Sequence, residues 1–106
     1  MLIYLASPYT DPSPFVMLER FDTICCVAAK LMADGVHLYC PIAHTHPIAV
    51  KGDLPRGWEF WEAYDRKLLA ACQELWVCTI DGWQKSKGVA AEIKIAEEFG
   101  MPIKYI

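Results

Sequence analysis

The sequence contains no Gly-x-Gly-x-x-Gly after its first apolar run and no Walker-type phosphate loop, which disfavours dinucleotide redox chemistry and phosphoryl transfer from a P-loop. It has no Cys-x-x-Cys either. Its five cysteines are an odd number, and Cys25 and Cys26 are adjacent. Neither a disulfide framework nor a thiolate zinc site is suggested, and a reducing, cytoplasmic setting is expected. Basic residues do not predominate: 10 Lys and Arg against 13 Asp and Glu give a net charge of −3. A nucleic acid polymer is therefore not the expected partner, although a small anion needs only local positive groups. The apolar start, Met1 to Ala6, is too short and lacks the basic flank of a signal peptide. No later run is long enough to span a bilayer, so no membrane partner is expected. Repeats and low-complexity tracts are absent. With 55% hydrophobic residues, residues 1–106 read as a single domain able to bury a core.

What is present alternates between two periods. Leu2 to Ala6, ended by Ser7 and Pro8, suits a strand buried on both faces. Ser13 followed by Pro14 marks a helix start, and that helix, the longest, runs to Asp34 and stops at Gly35. Val36 to Cys40 reads as a second strand, stopped by Pro41. Residues 41–57 read as a long loop, a length usually functional or mobile in a small domain. A helix from Trp58 to Ala71, a strand from Leu75 to Ile80, a loop from Asp81 to Lys85, a helix ending before Gly100 and a strand from Ile103 to Ile106 complete the chain. The expected fold is α/β: three layers, an open parallel four-stranded sheet with helices on both faces, flavodoxin- or Rossmann-like.

Two helices carry the same anomaly. At about 100° per residue, Val89, Ile93, Ile95, Ala96 and Phe99 share one side of the last helix, and Glu92 falls among them. On the preceding helix Trp58, Trp61, Tyr64, Leu68, Leu69 and Cys72 share a face that includes Asp65. A carboxylate on an apolar face is paired, protonated or used, because an unpaired buried charge costs several kcal/mol or shifts its pKa. Satisfied core acids are the bland alternative. Two inward acids beside a helix start also suit cleavage of a glycosidic bond.

Open parallel sheets place ligands beyond the carboxyl ends of their strands. That edge gathers Ser7, Tyr9, His44, His46, Asp81, Trp83, Ser86 and Gly88, with Glu92 and Asp65 entering from the helices. Ser86 and Gly88 stand at a helix N-terminus, where free N–H groups hold anions, although Ser86 also serves as a plain N-cap. Lys85 and Lys87 either meet such an anion or are simply solvated. His44-x-His46 is half a metal site at most and reads better as a solvent-facing or substrate-contacting pair, so no metal and no cofactor is expected. Trp83, in its loop, is the better candidate for stacking on a base; Trp58 and Trp61 read as core.

Tyr4 in the first strand, Asp65 ahead of Leu68-Leu69, the Ser86-x-Gly88-x-x-x-Glu92 helix start and the closing Gly100-Met101-Pro102-Ile103, in this order and spacing, resemble the nucleoside 2-deoxyribosyltransferase superfamily. Within it the chain is similar to the small 2'-deoxynucleoside 5'-phosphate N-hydrolase-like proteins. The resemblance implies a nucleoside deoxyribosyltransferase-like fold in which Glu92 attacks the anomeric carbon of the sugar, Tyr4 orients Glu92, and Asp65 assists departure of the base. It implies a small nucleoside or nucleotide as partner, and a homodimer or higher homo-oligomer. Serine at position 86, where the nucleoside transferases carry an aspartate, tilts the expectation toward a phosphorylated substrate. The loop Ser7-Pro8-Tyr9-Thr10 departs from the hydrolases in lacking the glycines and basic residue that hold the phosphate. The resemblance also implies a further segment after the fourth strand, the last strand expected within residues 1–106. The expected activity is cleavage or transfer of the N-glycosidic bond of a (2-deoxy)nucleoside or its 5'-monophosphate. An NAD glycohydrolase-like activity, a non-catalytic nucleotide-binding or sensing module and a purely structural role are the alternatives.

Overall fold

A computed structural model describes residues 1–106. Strand β1 is Ile3–Ala6, helix α1 Pro14–Ala33, β2 Leu38–Tyr39, α2 Pro41–Gly52, α3 Trp58–Ala70, β3 Glu74–Val77, α4 Lys87–Glu98 and β4 Ile103–Tyr105, with a short 3₁₀ turn at Trp83–Lys85. The four strands form one parallel sheet in the order β2-β1-β3-β4. Every residue of β1 is buried, because strands pair on both of its edges and helices cover both of its faces. Side chains alternate across it. Tyr4 and Ala6 join Leu69, Leu75, Val77, Val89, Ile95 and Ala96 beneath α3 and α4. Leu5 joins Ile24, Ala28, Cys40 and Cys78 beneath α1. These are the two cores of a three-layer domain. No helix is long and apolar enough to cross a membrane.

The helix ends follow elementary capping. Ser13 caps α1, with Pro14 at its first position. Ser86 caps α4 by accepting the Val89 N–H at 3.1 Å. Three details of the sequence reading need correction. The supposed loop 41–57 holds α2, a twelve-residue helix with Pro41 at its first position and Pro47 inside it. Pro41 removes only a hydrogen that a first helical turn leaves unpaired. The gap left by Pro47 is tolerated because Ala49 is buried and Ile42 and Ala43 pack on the α1-side core. The second strand is only two residues long. Phe99 and Tyr64, expected on apolar faces, are 43% and 39% exposed.

Strand order reverses direction beside β1: the chain steps outward to β2, then returns past β1 to β3. At that point the loops leaving β1 and β3 diverge and open a crevice above the sheet. Helix α2 crosses its rim.

Candidate active site

Glu92 stands on the second turn of α4, 5% exposed, and the Tyr4 hydroxyl donates to its Oε2 at 2.5 Å. Tyr4 is fully buried in β1 and lies behind Glu92, outside the cavity wall. It fixes the carboxylate from the core side. Burial, joined by the charge of Asp65, pushes the Glu92 carboxyl up to about 8, although the Tyr4 hydrogen bond works the other way. Asp65 on α3 is 8% exposed, and burial raises it to about 7. Its Oδ1 has no hydrogen-bond partner within the protein. A satisfied structural acid would not leave a buried oxygen bare.

Both acids line one cavity of about 280 Å³ at the carboxyl edge of the sheet. Ser7, the residue after β1, lines it too; it is 5% exposed and its Oγ has no protein partner. Tyr9, His46, Ser86 and Gly88 complete the residues that the sequence pointed to and the fold brings together. The Tyr9 hydroxyl and His46 Nδ1 are 2.5 Å apart, and the imidazole stacks on Phe21 at 4.3 Å. Burial and the nearby Arg56 hold His46 below its ordinary pKa, against an opposing pull from Asp22.

Three expected residues lie elsewhere. His44 and His46 are two apart on a helix, so they leave on different sides. His44 Nδ1 faces the hydroxyls of Tyr39 and Tyr64, at 3.3 and 3.4 Å, and His44 lines a neighbouring hollow. This divergence also rules out a shared metal ion on the pair. Asp81 is exposed and outside the cavity wall. Trp83 packs on Tyr105 with ring centroids 5.5 Å apart and against the α3/α4 core, so it does not line the cavity.

The indoles at the cavity are Trp58 and Trp61; Trp58 also packs on the α3/α4 core, as its helical spacing predicts, whereas Trp61 does not. A Cβ at Gly88 would sit 3.8 Å from the Trp58 ring, so this indole lies over the start of α4. The Trp61 N–H donates to the Pro55 carbonyl at 2.8 Å, which fixes its plane. Arg56, Lys85 and Lys87 add positive charge at the wall. Lys87 pairs with Glu59, whereas Arg56 and Lys85 have no carboxylate partner within ion-pair distance. No residue pattern marked Arg56, because it sits in the α2–α3 turn and reaches the cavity only once α2 is helical.

Two loops are held together from behind. Arg20 Nη1 donates to the carbonyls of Tyr9 and Thr10 at 3.3 and 3.1 Å, and the Thr10 hydroxyl donates to the Arg56 carbonyl at 2.7 Å. The same guanidinium fills the space above Gly82, where an added Cβ would lie 2.5 Å from Nη2. Gly82 has φ +91°, a left-handed turn that favours glycine. Arg20 thus joins the loop after β1 to the loop after β3, and both are cavity walls.

The result is a polarised cavity: two elevated acids and an orienting phenol on the sheet side, free cations and a helix N-terminus on the rim, and indoles across the opening. A comparison with curated proteins found no match. A family model described as "Domain of unknown function (DUF1937)" matches residues 1–106, and the chain belongs to that family.

Proposed function

We propose that this cavity cleaves or transfers the N-glycosidic bond of a (2-deoxy)nucleoside or its 5'-monophosphate, with Glu92 as nucleophile. The observation that carries the reading is the convergence of two buried acids from separate helices, one held by a buried tyrosine and the other with a bare oxygen, in a single cavity. A glycosyl transfer through the enzyme needs such a pair, one acid to form a bond to the sugar carbon and one to handle the leaving group. The resemblance to the nucleoside 2-deoxyribosyltransferase superfamily is part of the same proposal.

In the first step a Glu92 oxygen bonds to the anomeric carbon while the carbon–nitrogen bond breaks. Its electron pair goes to the base, which takes the proton from Asp65. In the second step water, or another base, attacks the same carbon and gives its proton to the Asp65 carboxylate, and Glu92 leaves as a carboxylate. The pair therefore works with one proton between them. In the free protein burial raises both acids above the ordinary carboxylate range. A sugar carbon gaining positive charge beside Glu92 favours ionised Glu92 and moves the shared proton to Asp65. Tyr4 keeps the attacking carboxylate in one orientation.

The 5'-phosphate fits the rim. The N-terminus of α4 with Ser86, the bare Ser7 hydroxyl and the unpaired Arg56 and Lys85 supply donors and charge. Trp58, lying over the start of α4, replaces Trp83 as the ring for stacking. We place the protein in the cytoplasm and expect a homodimer.

A second reading, nucleotide binding without turnover, has one observation in its favour: a Glu92 held protonated is not a nucleophile. Incubation with a panel of nucleosides, their 5'-monophosphates and NAD, followed by chromatography of the released base, separates the readings. Release by wild type and loss in Glu92→Gln support the enzyme, and released nicotinamide alone assigns the NAD variant. Thermal stabilisation by a nucleotide with no product in any arm supports the binding module.

A further inference from the structure

A second hollow, of about 420 Å³, opens beside the acid cavity between α2 and α3. Its walls are apolar and rich in rings: Ile48 from α2, Leu54 from the turn, and Phe60, Trp61 and Tyr64 from α3. No Asp, Glu, Lys or Arg lines it. Ile48 and Phe60 keep 48% and 49% of their surface in solvent. Clustered large apolar side chains at a concave surface mark a binding site rather than chance exposure.

The nature of the occupant follows from where the hollow leads. Trp61 and Thr45 line both the hollow and the acid cavity, so the two adjoin along these side chains. Trp61 precedes Asp65 by one helical turn and shares its face, and its N–H, anchored on the Pro55 carbonyl, fixes the indole at the boundary of the two. In the reading above, Asp65 protonates the departing base. On that reading the base lies against Asp65 with Trp58 as its stacking ring, and Trp61, one turn from Asp65 on the same face, borders it on the side of the hollow. There a substituent on the base meets rings at alternating angles. Phe60 and Trp61 are edge-to-face at 4.9 Å, and Trp61 and Tyr64 at 5.9 Å, an arrangement that offers a flat guest both faces and edges. A charged extension would find no Asp, Glu, Lys or Arg there, and the His44 imidazole is the one ionisable nitrogen on its wall.

We infer that the hollow between α2 and α3 is a leaving-group subsite, selecting bases enlarged by an apolar or aromatic substituent. The inference rests on the glycosidase reading for its orientation. The test compares a purine nucleoside 5'-monophosphate with its analogue bearing a benzyl group on the exocyclic amine, and the two corresponding free bases, in wild type, Ala63→Trp and Phe60→Ser. Cleavage is followed by chromatography and base binding by calorimetry. Ala63 also lines the hollow and is exposed, so a larger residue there fills the space without entering the core.

Wild type is expected to prefer the benzylated form about tenfold, the order expected for burying one apolar ring. In Ala63→Trp the ratio falls to about one. Equal kcat/KM for the two nucleotides and equal affinity for the two bases in wild type would overturn the subsite. If neither nucleotide is cleaved while the benzylated base binds better and Ala63→Trp removes that preference, the glycosidase reading has failed and the subsite stands. If sedimentation shows that both variants break an oligomer while the base preference is unchanged, the hollow is a contact between copies and the inference is wrong.

Discussion

Replacing Glu92 with glutamine separates the physics of the cavity from its chemistry. Glutamine keeps an oxygen that accepts from the Tyr4 hydroxyl, 2.5 Å away in the native protein, and replaces the ionisable carboxyl oxygen with a neutral NH2 of similar size. In the native fold burial holds the carboxyl at about 8 instead of the ordinary 4.5. Below the ordinary value both the folded and the unfolded chain carry the proton, and the contribution of Glu92 to stability is fully present. Between about 4.5 and about 8 the unfolded chain releases the proton and the folded chain keeps it, so stability falls as pH rises; above about 8 the loss levels off. At about 1.4 kcal/mol per pH unit, this window corresponds to a loss of at most about 5 kcal/mol. Asp65 adds a parallel decline up to about 7 in both proteins. Urea unfolding followed by tryptophan fluorescence should therefore give wild type and Glu92→Gln nearly equal stability near pH 5. The variant should be more stable by about 2 to 5 kcal/mol near pH 9, with unchanged m-values. Curves that run parallel across this range, within about 0.5 kcal/mol, would refute a buried, proton-holding Glu92 and with it the polarised cavity.

Asp65→Asn should lower base release by about 10² to 10⁴-fold, and a substrate with an activated leaving group should recover most of that loss, which steady-state kinetics on both substrates would read. The pH dependence of kcat/KM should be bell-shaped with its maximum between about 7 and about 8, since the acid pair must carry one proton; a sigmoid with no alkaline fall contradicts the role of Asp65. Gly82→Ala should destabilise the fold by about 1 to 3 kcal/mol, because it strains a left-handed residue and drives Arg20 off the Tyr9 and Thr10 carbonyls. In a cycle with Arg20→Ala, read by chemical denaturation, only the steric part should be relieved. Ser86→Ala should cost about 1 kcal/mol of stability by unbonding the Val89 N–H. It should also raise KM more for a nucleoside 5'-phosphate than for the nucleoside.

The inward acids were legible because helical period is local: at 3.6 residues per turn, Glu92 falls among Val89, Ile95 and Ala96 whatever the rest of the chain does, and these four are the buried residues of α4. Helix α2 was not legible, since Pro41 and Pro47 read as breakers and its stability comes from packing on Leu5, Ile24 and Cys40. That misreading also hid Arg56 and sent both histidines of His44-x-His46 toward one crevice. Trp61 misled for the opposite reason. Its spacing showed that it shares a face with Trp58, which does pack on the core, but a face that meets a cavity and a face that meets a core have the same period.

The sequence by itself determined the four strands and the helices other than α2, the caps at Ser13 and Ser86, and the side of its own helix on which each carboxylate stands. These depend on backbone geometry within a few residues. The meeting of Asp65 with Glu92, of Tyr4 with Glu92 across 88 positions, and of Arg20 with the loops after β1 and β3 was decided only by the tertiary structure. The strand order β2-β1-β3-β4 sets α3 and α4 side by side over β1, and no local pattern encodes which distant segments such a sheet will bring into contact.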